Sequence, residues 1–164
     1  MAARDPVELA EALQARCLAA SWTVATAESC TGGLVGHLLT AVRGSSGYVV
    51  GGVVAYADRV KLDLLAVPAT ALETHGAVSA QVALAMASGV AARLEVDLAV
   101  AVTGIAGPDG GSPEKPVGTT YIATTGVGGP TVRRFHFDGD RETVRWAAAT
   151  AALEMLMAAA ERGR

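Results

Sequence analysis

Ser29-Cys30-Thr31-Gly32-Gly33 places two candidate nucleophiles, a second hydroxyl and two glycines in consecutive positions. The segment leaves a run rich in β-formers and enters an apolar stretch of helical spacing, so it reads as a strand, a tight turn and a helix. Such a turn aims free backbone N–H groups and the positive end of a helix at whatever lies above the strand, which is the geometry of an anion or oxyanion site. It carries neither the Gly-Lys-Ser/Thr ending of a P-loop nor the glycine spacing of a dinucleotide fold, so neither scaffold has specific support. Ser29 and Cys30 both stand as nucleophiles: a thiol at a helix N-terminus is acidified, but no sequence neighbour offers Cys30 a histidine. Thr31, Gly32 and Gly33 are candidate substrate contacts, although Ser and Thr also cap helices for structural reasons alone.

Lysine is scarce. Of the thirteen basic residues only Lys61 and Lys115 are lysines, and the rest are arginines. A partly buried lysine has a tunable proton and serves as a base, whereas arginine stays charged; the alternative is a solvated side chain. Ser112-Pro113-Glu114-Lys115 has the Ser-x-x-Lys spacing of serine β-lactamases, but that motif needs a helix to align its two side chains. Pro116 disfavours one there. Asp138-Gly139-Asp140-Arg141 opens the final helix, and a cation in a first helical turn runs against the helix dipole. Arg141, with Arg145 one turn on, is therefore a candidate phosphate clamp or an exposed side chain of small cost. His37, His75 and His136 lack metal-ligand spacing and read as structural, and no metal or cofactor is called for.

The elements that must hold these residues follow from periodicity. Asp5-Pro6-Val7-Glu8 begins a helix with a cap, a proline at its first position and an early carboxylate; its apolar side is Val7, Ala10, Leu13 and Cys17. A strand over 22–28, a helix over 34–41, a buried strand over 48–56 and a short helix over 61–65 come next. A connection punctuated by Pro68 and Gly76 leads to Ser79, which caps an Ala-rich helix to about Glu95. After an apolar strand over 98–102, the Gly- and Pro-rich stretch 103–117 is too long for an ordinary connection. It reads as a substrate-wrapping lid or a surface loop. Strands over 118–125 and 131–137 form a hairpin, and a helix runs from about Asp140 to Glu161. Strands interleaved with helices predict an α/β fold: a single domain over 1–164, a three-layer α/β/α sandwich on a mixed, mainly parallel sheet.

Composition narrows the partners. Hydrophobic residues make up 51% of the 164-residue chain, charged ones 18% and aromatic ones 4%, so small aliphatic side chains must fill the core. A net charge of -3 and a pI near 5.6 argue against a nucleic-acid footprint, which needs clustered Lys and Arg. Two cysteines without close spacing indicate neither a disulfide framework nor a zinc knuckle, and a reducing cytoplasm is expected. Apolar runs are too short for a membrane span, and the N-terminus lacks a signal core.

Ala27-Glu28-Ser29-Cys30-Thr31-Gly32-Gly33, Gly76-Ala77-Val78-Ser79, Thr103 to Gly111 and Lys115-Pro116-Val117-Gly118-Thr119 together closely resemble the CinA C-terminal domain family, over nearly the whole chain and in order. The resemblance is to the stand-alone form. It implies a three-layer α/β/α fold in homo-oligomers and nicotinamide-nucleotide amidase activity. In that reaction nicotinamide mononucleotide and water give nicotinate mononucleotide and ammonia, a step of pyridine-nucleotide salvage. It further implies Ser29 as nucleophile, Lys61 as its base, Tyr56 and Thr103 as supporting polar groups, and Arg141 as the match to the family's Gly-Asp-Arg. Gly104 and Gly107 of the matching loop join Arg145 and the 30–33 turn as expected substrate contacts. Where many members have Tyr-Ser-Asn before the lysine, this chain has Tyr56-Ala57-Asp58. A non-catalytic nucleotide-binding or regulatory module is the main alternative, and phosphate-ester chemistry a second; ammonia release and chelator sensitivity discriminate them.

Overall fold

Alternation along the strands sorts side chains by size. In the computed structural model, which describes residues 4–163, β1 (Val24–Glu28), β2 (Val49–Val54), β3 (Leu98–Gly104), β4 (Thr119–Gly126) and β5 (Thr131–His136) form one mixed sheet in the order β2-β1-β3-β4-β5. β1 pairs in parallel with β2 and β3, and β4 pairs antiparallel with β3 and β5. Successive side chains point to opposite faces, and each face carries a separate apolar cluster. One joins the strands to α1 (Pro6–Ala20), α2 (Leu34–Thr40) and α6 (Arg141–Arg162); the other joins them to α3 (Asp58–Leu65), α4 (Ala69–His75) and α5 (Ala80–Leu94). The α/β class and its layering match the sequence expectation.

Several details differ, each for a local reason. β2 is an edge strand, not a buried one: Val50 and Val54, on one face, are 50% and 51% exposed while Val49 and Val53, on the other, are half-buried, so one face of the strand is open to solvent. In α1 the buried stripe is Leu9, Ala10, Leu13 and Cys17, and Val7 stays exposed; positions 9, 10, 13 and 17 share a face at 3.6 residues per turn, and position 7 does not. The connection after Pro68 contains α4, with Pro68 itself as the N-cap. α3 begins at Asp58, three residues before Lys61. Asp5, Ser79 and Asp140 cap their helices through side-chain oxygens that accept from backbone N–H groups.

The strand order places the crevice. From β1 the chain goes first to β2 on one side and later to β3 on the other. The carboxyl end of β1 is thus the switch point at which open α/β sheets bind ligands, and Ser29 follows β1 directly.

Candidate active site

Glu28 pairs with Val102, and the Ser29 N–H donates to the Val102 carbonyl at 2.9 Å. Ser29, just past β1, and Thr103, near the end of β3, therefore lie side by side. Parity gives Ser29 the face of Ala25 and Ala27, toward α3 and α5, and it turns Cys30 into the opposite cluster. Cys30 is buried there, and burial pushes its thiol up to about 11. A thiol so placed is neutral at working pH, the reverse of the acidified nucleophile that the helix N-terminus alone would produce.

α3 delivers Lys61 to the same face. The side chain is 1% exposed, and Nζ donates to the carbonyl oxygens of Ala55 at 2.9 Å and Tyr56 at 3.2 Å, just past the end of β2. Nζ lies 3.4 Å from Ser29 Oγ and 3.5 Å from Asp58 Oδ1. Burial holds the Lys61 ammonium below the ordinary lysine range, and the Asp58 carboxylate pulls in the opposite direction. A neutral amine has two N–H groups and one lone pair. With the two N–H groups on carbonyls, the lone pair remains for the Ser29 hydroxyl.

The turn after Ser29 is shaped by groups that sequence reading missed. The positive end of α2 is already occupied: the buried Glu28 carboxylate accepts from Val35 N at 2.8 Å and Gly36 N at 3.0 Å. The free groups are in the turn itself, where the N–H groups of Thr31 and Gly33 have no protein acceptor among the described residues. The Thr31 hydroxyl is buried without a partner as well. Strand parity was the signal for Glu28, since it shares a face with Thr26 and so points at α2. Asp58 stood out only as a departure from the family's Tyr-Ser-Asn, and its pairing with Lys61 was hidden because the helix was expected to start at Lys61; with the observed start the two sit one turn apart.

The remaining candidates converge on this end of the sheet. Arg145 reaches back from α6, its guanidinium donating to the carbonyl oxygens of Cys30 at 3.1 Å and Thr31 at 3.0 Å. Arg141 donates to the Gly107 carbonyl at 2.7 Å and the Tyr56 hydroxyl at 2.9 Å, tying the 105–117 loop to the segment after β2. The Thr103 hydroxyl donates to Ala77 O at 2.9 Å. Gly104 lies where a Cβ would crowd the Thr120 hydroxyl, the Thr119 carbonyl and Cys30 Sγ; at Gly107, with φ 86°, a Cβ would collide with Val117. Lys115 is spent on structure: its Nζ donates to the His75 carbonyl at 2.7 Å, at the C-terminal end of α4, and fixes the long loop there. The Ser112–Lys115 segment is non-helical, as Pro116 requires.

A buried lysine beside a serine at the switch point of a three-layer α/β/α sheet defines the structural class. The comparisons with known proteins give the family: residues 7–160 match the model of the CinA C-terminal domain, and the chain belongs to that family. A CinA-like protein of Geotalea daltonii is 55% identical over 134 residues, which is 82% of this chain and 32% of that protein. The chain spans about a third of the length of the curated relatives it matches. Among solved structures, the competence/damage inducible protein CihA from Agrobacterium tumefaciens is 44% identical with a TM-score of 0.89, over 97% of this chain and 98% of its own. A competence or damage-inducible protein from Enterobacter asburiae is 31% identical with a TM-score of 0.92, over 96% of this chain and 99% of its own. Among the described residues no helix is long and apolar enough to cross a membrane.

Proposed function

We propose that the chain is a nicotinamide-nucleotide amidase that hydrolyses the carboxamide of nicotinamide mononucleotide, with Ser29 as nucleophile and Lys61 as base. The observation that carries this reading is the Lys61 amine, buried, held by two carbonyl groups and 3.4 Å from Ser29 Oγ. Neutral Lys61 takes the Ser29 proton as Oγ bonds to the carboxamide carbon and the carbonyl electron pair moves onto oxygen. The unpartnered N–H groups of Thr31 and Gly33 then face the developing oxyanion. Lys61 returns the proton to the leaving nitrogen, ammonia departs, and water attacks the acyl-enzyme through the same base.

The other residues take supporting roles. Arg141 stands at the mouth with the cation that a nucleotide phosphate needs, and Tyr56 shares its guanidinium. Arg145 holds the peptide groups of the turn from behind, so its contribution is to positioning. Thr103 anchors the approach to α5 beside the nucleophile. Ammonia release from nicotinamide mononucleotide by the purified chain is the direct test, with Ser29→Ala as the control. Nucleotide binding without ammonia would instead support the binding-module reading.

A further inference from the structure

Lys61 has more suitors than an amine can serve. Around Nζ, the bond to Cε takes one direction and the carbonyl oxygens of Ala55 and Tyr56 take two more. The last is contested, because Ser29 Oγ stands at 3.4 Å and Asp58 Oδ1 at 3.5 Å. Asp58 gains from that direction only when it holds a third proton, and Ser29 gains a base only when it holds the lone pair. The carboxylate that steadies Lys61 in the empty site thus opposes its use. Few other charges intervene. Cys30 and Tyr56 are the other titratable groups beside Lys61, and the Cys30 thiol is uncharged at working pH. Arg141 reaches the Tyr56 hydroxyl, and α5, packed against α3, carries one charged residue, Arg93, in its distant last turn.

We propose that Asp58 selects a substrate with a cationic ring and lets that ring trigger the base: it keeps Lys61 charged while the site is empty, and a bound cation takes over its carboxylate and drives the proton off Lys61. This inference rests on the amidase reading above. The Asp58 side chain is 62% exposed, so its carboxylate is open to a ligand from solvent. A carboxamide carbon in attacking position stands ~3 Å from Ser29 Oγ, with its ring one bond beyond. A positive ring there is attracted by Asp58 and repels the Lys61 ammonium, and both effects favour loss of the proton to solvent. The neutral amine then accepts the Ser29 proton as Oγ bonds to carbon. A neutral ring supplies neither push, so it leaves Lys61 protonated and the serine without a base.

Lysine labelling reads the proton directly, because Lys61 and Lys115 are the chain's two lysines. With 13C-labelled lysine the protein gives two side-chain signals, assigned by Lys115→Arg. The Lys61 titration is followed in the wild type and Asp58→Asn, and then in a Ser29→Ala background with two ligands. One is nicotinamide mononucleotide; the other is benzamide riboside monophosphate, which has the same shape and a neutral ring. Asp58→Asn is expected to move the Lys61 midpoint to lower pH by about one unit. Nicotinamide mononucleotide should move it in the same direction, the neutral-ring compound far less, and Asp58→Asn should weaken binding of the cationic ligand alone by about fivefold. An unchanged midpoint in Asp58→Asn, or equal responses to the two ligands, would overturn the proposal. A Lys61 response to nicotinamide mononucleotide without ammonia release from the unsubstituted protein would uphold the trigger while overturning the amidase reading.

Discussion

On the side of α1 and α6 the sheet presents Val24, Leu98, Val100, Val102 and Ile122; on the side of α5 the same strands present Ala25, Ala27, Ala99, Ala101 and Ala123. The bulky side buries more apolar area per residue and supplies the larger share of cohesion. The alanine side lets helices approach closely: a Cβ on Gly89 of α5 would collide with the Leu65 carbonyl at the end of α3. Close approach seats α3 against α5, and from there a single long side chain, Lys61, reaches Ser29 at 3.4 Å. Cys30, one residue on, is sealed into the bulky side. On the proposed reading the Ser29–Lys61 pair lies on the alanine face and most of the cohesion on the bulky one, so substitutions in the two clusters should fail differently.

The largest expected effect is on turnover. Lys61→Arg keeps charge and approximate length but has no neutral form at working pH, so kcat should fall by ~100- to 10,000-fold. Ser29→Ala should abolish ammonia release with nucleotide binding retained by calorimetry. Cys30→Ala, on the other face, should stay within a few-fold of wild type. An inactive Cys30→Ala beside an active Ser29→Ala would reverse the assignment of faces.

Stability should show the opposite ranking. Leu98→Ala empties a fully buried site on the bulky face and should cost ~2–5 kcal/mol with kcat unchanged. Gly89→Ala must push α5 from α3; the strain costs ~1–3 kcal/mol, offset in part by better helix propensity. Its main signature should be lower kcat, since α3 carries Lys61. Urea unfolding and steady-state kinetics on the same samples check both. A Gly89→Ala protein with normal kcat would show that the spacing of the alanine face does not set the Ser29–Lys61 distance.

How far the sequence reveals these faces depends on the residue. The layers were legible because strand and helix periods are local properties, and the Ser29 turn because glycines and hydroxyls cluster there. β2 was misread as buried because an apolar run states its composition and not its place in the sheet. Arg141 and Arg145 were noticed for being in the wrong helical turn, yet their partners are more than thirty residues away in sequence, and nothing local announces them. The Cys30 environment follows from strand parity, but the general rule for thiols at helix ends pointed the other way.

A smaller effect distinguishes the two arginines. Arg145→Ala frees the Cys30 and Thr31 carbonyls and should lower kcat by about tenfold, the worth of a charge-assisted hydrogen bond near ~1.5 kcal/mol. Arg141→Ala should raise KM for the nucleotide more than for the phosphate-free nucleoside. Equal losses on both substrates would remove the phosphate role of Arg141.

The smallest effect separates the faces by sign. Burial disfavours the charged form of each group, so it raises Cys30 to about 11 and lowers Lys61 below its ordinary value. Cys30 binds its proton more tightly folded than unfolded. Its contribution to stability is complete below the unfolded value of 9.0 and is lost as pH rises toward about 11. Lys61 binds its proton less tightly folded, so the cost of burying the ammonium is greatest at low pH and fades as pH climbs from the folded value to the unfolded 10.5. Urea unfolding of the wild type, Cys30→Ala and Lys61→Met from about pH 8 to about pH 11 isolates each slope. Cys17 titrates in all three proteins and cancels in the differences. Cys30→Ala should gain on the wild type as pH rises, by about 2 kcal/mol at most, whereas Lys61→Met should lose ground over the same range. Constant offsets from lost packing or lost hydrogen bonds do not alter either slope. Two variants drifting in the same direction would mean that the thiol and the amine are not buried against opposite charge preferences, and the division of the sheet into a sealed face and a reactive one would have to be redrawn around whichever residue broke the rule.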